Sequence, residues 1–234
     1  MKTYYEIEQG TEDWHKIRWA KVGGTLSNGL FIDSDTLLMN ILSMATEEFQ
    51  HTDGFTSAEM ERGHELEPFA RKELSTYIGV ELLECGWLQS LDNELIGISP
   101  DGINFDETIS AEIKCPGAKK HIKTILENKI PSDNIHQCLH YFTINPKLEK
   151  HYFCSFRPES NIRKLFVTEL TRNSAVDIGW VIKGKVKEDR GKGLKEYVCN
   201  IPDIRTVQEW VDVAKNSANK LKVELIEKIN ELNF

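Results

Sequence analysis

The 234-residue chain is 40% hydrophobic and 28% charged, which is ordinary for a soluble globular protein and sufficient for one domain with a substantial core. Its net charge of −8 does not by itself indicate nucleic-acid binding. It does not exclude such binding either, because a local basic face can coexist with acidic residues clustered elsewhere. The five scattered cysteines form no Cys-x-x-Cys pair, which argues against a zinc or iron–sulfur site, and no apolar run approaches the roughly 20 residues that span a bilayer.

Residues 5–19 predict a short polar strand and then a helix that begins near Thr11, a good N-cap. Trp14 and Arg18 recur on one face of that helix. The Gly-Gly-Thr stretch ending at Thr25 breaks the helix and precedes another. Glycines at a helix start expose backbone N–H groups that can cradle a phosphate, although an ordinary loop has the same composition. For Arg18, the alternative to phosphate binding is a salt bridge to a neighbouring acid.

Two helices are predicted next, over residues 35–50 and 57–78. The first carries a wide apolar stripe, which is typical of packing against a core. The second follows Ser57, a good N-cap, and contains Pro68, which predicts a bend. Its acids, Glu67 among them, are compatible with a solvated helix face.

From residue 80 to residue 114 the pattern changes to short strands separated by turns, which predicts an antiparallel meander. The Pro-Asp-Gly sequence at Asp101 predicts a tight turn. In the strand predicted over residues 109–114, Glu112 and Lys114 point to one face, and the turn would bring Asp101 beside them. Two carboxylates and an ammonium at a strand end can hold a hard divalent cation and a water. The alternative is a β-hairpin with a solvated turn and a surface Glu/Lys pair.

A capped helix is predicted over residues 132–143, where Gln137 and His140 could face these side chains. His140 is the less suitable metal ligand, because such a histidine is more often a core or surface residue. Two further strands, over residues 152–157 and 163–170, predict an outer hairpin.

Three segments of the sequence together resemble the phage lambda exonuclease, or YqaJ-type viral recombinase, branch of the PD-(D/E)xK nuclease superfamily. The segments are Glu12-Asp13-Trp14-His15-x-x-Arg18 with Gly24-Thr25, Glu61-x-Gly63-x-x-x-Glu67-Pro68-x-Ala70-Arg71, and Ser99-Pro100-Asp101-Gly102 with Glu112-Ile113-Lys114-Cys115-Pro116.

The resemblance implies a metal-dependent catalytic site. Asp101 and Glu112 would bind one or two Mg²⁺ ions, with the carbonyl of Ile113 as a further ligand and with Mn²⁺ able to substitute. Lys114 would orient the attacking water or, with a lowered pKa, act as its base. Glu67 would point toward the metal as an outer acid. On the following helix, the family commonly has a Gln-x-Gln pattern, of which only Gln137 is present.

The resemblance also implies contacts with DNA. Arg18 and Thr25 would bind a DNA phosphate, which for Arg18 would be the 5′-terminal one. Two basic segments are further candidates for contacts with the DNA backbone, with solvated charged faces as the alternative: residues 118–131, which include Lys119 and Lys120, and residues 183–195.

The order of the predicted elements gives an α/β (α+β) fold, in which helices flank a central mixed sheet that carries the acids in a restriction-endonuclease-like core. We expect one domain over residues 1–234, with an amphipathic helix at about 203–232 that caps the core or contacts another subunit.

The resemblance implies a Mg²⁺-dependent 5′→3′ exonuclease on double-stranded DNA ends, which leaves 3′ tails for phage-type recombination. The expected setting is the cytoplasm of a bacterial host, with no membrane contact. The expected assembly is a homotrimer that works with a single-strand annealing protein. The alternatives are an endonuclease of the same superfamily, restriction-type or branch-cleaving, and a DNA-binding module with an inactive site.

Overall fold

The computed structural model describes residues 1–32, 34–50, 57–187 and 194–232. The helices in these ranges are α1 (Glu12–Arg18), a 3-10 helix (Gly24–Leu30), α2 (Asp35–Ala45), α3 (Ala58–Ile78), α4 (Ala118–Glu127), α5 (Ser132–Ile144) and α6 (Val207–Leu232). The strands are β1 (Lys2–Tyr4), β2 (Trp87–Gln89), β3 (Gly97–Ile98), β4 (Gly102–Ile103), β5 (Ile109–Lys114), β6 (Lys150–Phe156), β7 (Leu165–Leu170), β8 (Ala175–Asp177), β9 (Trp180–Lys187), β10 (Leu194–Ile201) and β11 (Ile204–Thr206). No helix in the described ranges has both the length and the apolar composition that a membrane crossing requires.

The predicted central mixed sheet is confirmed, with the strand order β4-β5-β6-β7. Strands β5 and β6 are parallel, whereas β4 and β7 pair antiparallel to their neighbours. A parallel pair needs a long crossover, and α4 and α5 supply it between β5 and β6. The strands predicted as an outer hairpin are therefore misassigned in part, because β6 lies inside the sheet.

Strand β5 has helices on both of its faces. Ala111 and Ile113 pack in a cluster with Ala70 of α3. Because successive side chains of a strand alternate, Glu112 and Lys114 point to the opposite face, toward α5.

The predicted meander over residues 80–114 is wrong, because its strands belong to two sheets. Strands β2 and β3 join β1 in a three-stranded antiparallel sheet, whereas β4 and β5 belong to the central sheet. The predicted strand over residues 80–83 contributes only a bridge from Leu83 to Ile103. Alternating polarity indicates a strand but not the sheet it joins.

Helix ends follow the local signals more closely. The Thr11 hydroxyl accepts a hydrogen bond from the N–H of Trp14, and the Ser57 hydroxyl caps α3 in the same way. Helix α2 ends at Ala45, before the predicted residue 50. Helix α6 follows the short strand β11 and packs against α5 and α2.

Candidate active site

The Pro-Asp-Gly turn joins the two sheets and places Asp101 beside β5. Gly102 pairs with Ala111 across β4 and β5. The Oδ2 atom of Asp101 accepts a hydrogen bond from the backbone N–H of Ile113 at 2.6 Å. The turn therefore holds its carboxylate against the strand, as the sequence predicts.

Glu112 and Lys114 meet Asp101 at this point. The Glu112 side chain is fully buried, and its Oε1 pairs with Nζ of Lys114, whose side chain is 36% exposed. The hydroxyl of Tyr141 on α5 donates to the other oxygen, Oε2, at 2.9 Å. We call Asp101, Glu112 and Lys114 the carboxylate site.

The pKa values of these groups reflect burial and crowded charge. Burial raises the pKa of Glu112 to about 7, and Asp101 adds to this effect, whereas Lys114 and Tyr141 oppose it. Burial also raises the pKa of Asp101, against the opposing effect of Lys114. For Lys114, burial lowers the pKa, but Glu112 and Asp101 raise it by more, so that it lies above its usual value. A raised pKa favours the protonated ammonium of Lys114, which can donate hydrogen bonds.

Arg71 of α3 connects Glu67 to the Asp101 turn. Its guanidinium donates to the carbonyl of Asp101, to Oε1 of Glu67 at 2.8 Å and to Oε2 of Glu84 at 3.1 Å. Burial raises the pKa of Glu67 to about 7, with a further contribution from Asp101 and opposition from Arg71. The charge of Asp101 therefore contributes to the raised pKa of Glu67. Glu65, on the same helix, is exposed to solvent.

Tyr141 is the contact residue that the sequence did not identify. Its hydroxyl contacts Glu112, the carbonyl of Ala111 at 3.2 Å and the backbone N–H of Asp101 at 3.4 Å. One signal was present, because Tyr141 lies four residues after Gln137 and therefore on the same helix face.

A second charge, half-buried, lies on α1. The guanidinium of Arg18 stacks on Trp14, with 3.7 Å from Cζ to the ring centroid, and lies 5.9 Å from the ring of Trp87. Burial lowers the pKa of Arg18 to about 10. Within the part of the chain that the structure describes, no carboxylate forms an ion pair with Arg18, so the salt bridge is not formed there. We call Trp14, Arg18 and Trp87 the arginine site.

Trp14 links the arginine site to the carboxylate site. Its Nε1–H donates to the hydroxyl of Ser99 at 2.8 Å and to the carbonyl of Gly86 at 3.0 Å. Ser99 is two residues before Asp101, so the ring that carries Arg18 is fixed to the turn that carries the carboxylate.

The side chain of Gln137 lies against Gly24, next to Gly23, which borders the arginine site. A Cβ atom at Gly24 would fall 2.8 Å from Nε2 of Gln137, and one at Gly23 would fall 3.6 Å from the guanidinium of Arg18. Thr25 is exposed in the 3-10 helix. The absence of a side chain at Gly24 therefore gives Gln137 room to approach this backbone, whereas a Cβ atom at the neighbouring Gly23 would be in ordinary van der Waals contact with Arg18.

His140 is a core residue. It is fully buried, and its Nε2 lies 3.1 Å from the carbonyl oxygen of Gly97 and 3.3 Å from that of Val22. Burial lowers its pKa to about 4. Its contacts join α5 to the three-stranded sheet.

The first basic segment forms helix α4, whereas the second lies partly in strands. Lys119 is exposed on α4, but Lys120 pairs with Asp133 at 2.6 Å. The segment 183–195 is not simply a loop, because residues up to 187 belong to β9 and those from 194 to β10, which pair antiparallel. Residues 188–193 of this segment lie outside the described ranges.

The carboxylate site fits a hard divalent cation. Among the described residues, no three His, Cys, Asp or Glu side chains form a metal-ligand cluster. The predicted set of metal ligands contains only two such side chains, the carboxylates of Asp101 and Glu112, together with the carbonyl of Ile113. All three are oxygen donors, which Mg²⁺ prefers. Burial raises the pKa of both carboxyl groups, and a bound cation would favour their ionised forms.

Comparisons with known proteins identify a matching family model and similar folds. The family model of the YqaJ-like viral recombinase domain matches residues 13–146, a range that contains both sites and Gln137. The alkaline exonuclease LHK-Exo from Laribacter hongkongensis has a TM-score of 0.72 at 21% identity, over 95% of this chain and 96% of that one. Its complex with dAMP gives 0.71 with the same identity and coverage. A phage-related exonuclease from Haemophilus somnus 129PT gives 0.55 at 13% identity, over 92% and 99%. No curated protein matches the sequence. The fold is thus shared with exonucleases over nearly the whole chain.

Proposed function

The chain belongs to the YqaJ-like viral recombinase family, and we propose that it is a Mg²⁺-dependent exonuclease that degrades the 5′-ended strand of linear double-stranded DNA. The observation that carries this proposal is the link between two opposite charges, the buried Glu112 and the half-buried Arg18. The carboxylate site fits a divalent cation, the arginine site fits a phosphate, and Trp14 bonds to the Ser99 hydroxyl between them. Removal of the 5′-ended strand would leave the 3′ tails that strand annealing requires.

The proposed reaction is hydrolysis of a phosphodiester by water. Asp101, Glu112 and the Ile113 carbonyl would hold a divalent cation, which when bound would polarise a water and offset charge on the phosphate. Lys114, protonated and one third exposed, donates hydrogen bonds to the attacking water or to a phosphate oxygen. Glu67, held by Arg71, contributes negative charge at the edge of the site.

The proposed polarity depends on the arginine site. Stacking against Trp14 holds the guanidinium in place without neutralising it, so its N–H groups can bind an anion. A terminal phosphate carries more negative charge than an internal one, which favours a DNA end. Thr25, exposed beside the glycines, would add a hydroxyl donor, and Gln137 an amide donor.

Linear and circular duplexes of the same sequence provide the test. With Mg²⁺ or Mn²⁺, we expect loss of the linear form only, with labelled 5′ ends released before labelled 3′ ends, and no loss in the presence of a chelator. The Asp101→Asn variant should be folded and inactive. Cutting of circles would instead indicate an endonuclease, and binding without cutting by the wild type would indicate a DNA-binding module.

We propose further that the protein works as a homotrimer that encloses its DNA, because a chain with a net charge of −8 cannot rely on electrostatic attraction alone to stay bound. Helix α6 buries Trp210 and Leu225 but leaves Val223 and Ile226 exposed, which offers a subunit contact. Light scattering after size exclusion should give three times the single-chain mass of 26.9 kDa. A single-chain mass with long digestion tracts retained would contradict the ring.

Two parts of the proposal concern the cellular setting. The partner would be a single-strand annealing protein that takes up the 3′ tail, and the location would be the cytoplasm of a bacterium that carries the phage or prophage. Co-purification of a tagged chain from such a host, with and without nuclease treatment, tests the first of these.

A further inference from the structure

Tyr141 contacts both carboxylate-bearing residues of the carboxylate site, Asp101 and Glu112. Its side chain comes from α5, 29 residues after Glu112 in sequence and 40 after Asp101, and it is 1% exposed. We propose that Tyr141 is a positioning residue, which holds the Glu112 carboxylate and the Asp101 turn in the relative placement that a divalent cation needs. This inference rests on the proposed nuclease function.

The contacts of the hydroxyl support this role. Oε1 of Glu112 pairs with Lys114, and Oε2 accepts the Tyr141 hydroxyl proton at 2.9 Å, so both oxygens of the carboxylate are held. The same hydroxyl oxygen accepts the N–H of Asp101 at 3.4 Å. One atom therefore bridges the strand that carries Glu112 and the turn that carries Asp101.

The ring itself is fixed in position. It stacks on His151 of β6, with 4.3 Å between ring centroids. His151 is fully buried, and its Nδ1 lies 2.8 Å from the hydroxyl oxygen of Ser110 on β5. Because both neighbours belong to the central sheet, the tyrosine is tied to the strand it supports.

Packing alone does not account for this arrangement. A buried tyrosine needs a single partner for its hydroxyl, and the Ala111 carbonyl at 3.2 Å would suffice. The shorter hydrogen bond, at 2.9 Å, goes instead to the carboxylate of Glu112, which is one of the proposed metal ligands. Residues that hold a metal ligand in place typically change metal affinity or activity by about 10–100-fold when they are replaced.

Tyr141→Phe removes only the hydroxyl, and Tyr152→Phe is its matched control. Tyr152 of β6 also donates to a glutamate, Glu169 of the neighbouring strand β7, at 2.7 Å. Neither residue belongs to the carboxylate site. Calorimetric titration of the DNA-free protein with Mn²⁺ should show binding weakened by about 10–100-fold in Tyr141→Phe. Tyr152→Phe should match the wild type. In digestion assays, kcat at limiting Mg²⁺ should fall for Tyr141→Phe while KM for DNA stays unchanged, because the buried hydroxyl does not reach DNA.

The outcomes separate this inference from the proposed function. If the wild type neither binds Mn²⁺ nor digests DNA, the nuclease proposal fails. If the wild type does both and folded Tyr141→Phe does so equally well, only the role of Tyr141 is refuted. Should Tyr141→Phe not fold, 4-aminophenylalanine at position 141 restores an N–H donor to Glu112. That protein should bind Mn²⁺ within a few-fold of the wild type, and a folded 4-aminophenylalanine variant without Mn²⁺ binding would overturn the inference.

Discussion

Glu112 is a buried charge and Arg18 a half-buried one, and the fold stabilises them in different ways. Glu112 has a charged partner on one oxygen and a hydroxyl donor on the other. Arg18 lies against an aromatic ring, and the described carboxylates leave it unpaired. The carboxylate site is thus a hydrogen-bonded network with excess negative charge, whereas the arginine site is a cation held by stacking.

This difference indicates the charge of the ligand that each site would favour. Two carboxylates and one ammonium favour a further cation, and a guanidinium without a counter-ion favours an anion. The proposed Mg²⁺ and DNA phosphate would satisfy both needs at once. The comparison also predicts that substitutions in the carboxylate site change the chemistry, while those in the arginine site change the choice of DNA end.

Glu112→Gln should have the largest effect. It removes a metal ligand but keeps the shape of the side chain, and the loss of several kcal/mol of charge stabilisation lowers turnover by at least about 10³-fold. Single-turnover digestion of a labelled linear duplex measures this. Glu169→Gln, on β7 of the same sheet, is the control and should digest at the wild-type rate. Near-wild-type turnover by folded Glu112→Gln would remove Glu112 from the site.

Arg18→Gln should act on end selection, with a smaller effect. A hydrogen bond to a charged group contributes about 1.5–3 kcal/mol, so the preference for a 5′-phosphate over a 5′-hydroxyl should fall by about tenfold or more. Competition between the two ends in one reaction measures it.

Arg205→Gln is the matched control for Arg18→Gln. Arg205 also stacks on a tryptophan, Trp210 at 4.4 Å, but it pairs with Asp203 at 2.8 Å. Its replacement should leave end preference unchanged. Equal loss in both variants would show that a stacked arginine by itself, rather than the unpaired one, sets the preference.

The sequence predicted those parts of the site that local signals specify. The turn at Asp101 and the strand with Glu112 and Lys114 lie within 14 residues of one another, so turn chemistry and strand alternation are enough to bring them together. The helix starts at Thr11 and Ser57 were found for the same reason, since each cap bonds within its own first turn.

The missed features depend on packing between distant segments. Tyr141 reaches Asp101 across 40 residues and Trp14 reaches Ser99 across 85, and no periodicity records such contacts. The division of residues 80–114 between two sheets is another case, because strand order is set by tertiary pairing. The roles assigned to Glu67, Gln137 and Thr25 stay predictions that experiments on DNA must test.

The burial of Glu112, with the nearby charge of Asp101, should also affect how stability depends on pH. The pKa of Glu112 is about 7 in the folded protein against an ordinary 4.5, so its stabilising contribution is full below pH 4.5 and is lost as the pH rises through 7. In chelator, the Tm of the wild type relative to Glu112→Gln should therefore fall between about pH 5 and pH 8. Calorimetry measures both proteins, and Mn²⁺ should raise the wild-type Tm more at the higher pH, because binding requires ionised carboxylates. A relative Tm that rises with pH would contradict the raised pKa of Glu112.

The smallest expected effect concerns Lys119 and Lys120 on α4. Exposed pairs such as Lys120–Asp133, with side chains 51% and 61% exposed, contribute about 0–1 kcal/mol, so Asp133→Asn should barely change stability. It would, however, release Lys120 for a DNA phosphate. If α4 contacts the backbone, Lys119→Ala should reduce the salt dependence of DNA binding by about 0.9 in the log–log slope, and Asp133→Asn should tighten binding. Binding to a linear duplex with Ca²⁺ in place of Mg²⁺, over a range of salt concentrations, measures both variants. An unchanged slope in both would place α4 away from the DNA and leave its lysines as a solvated face.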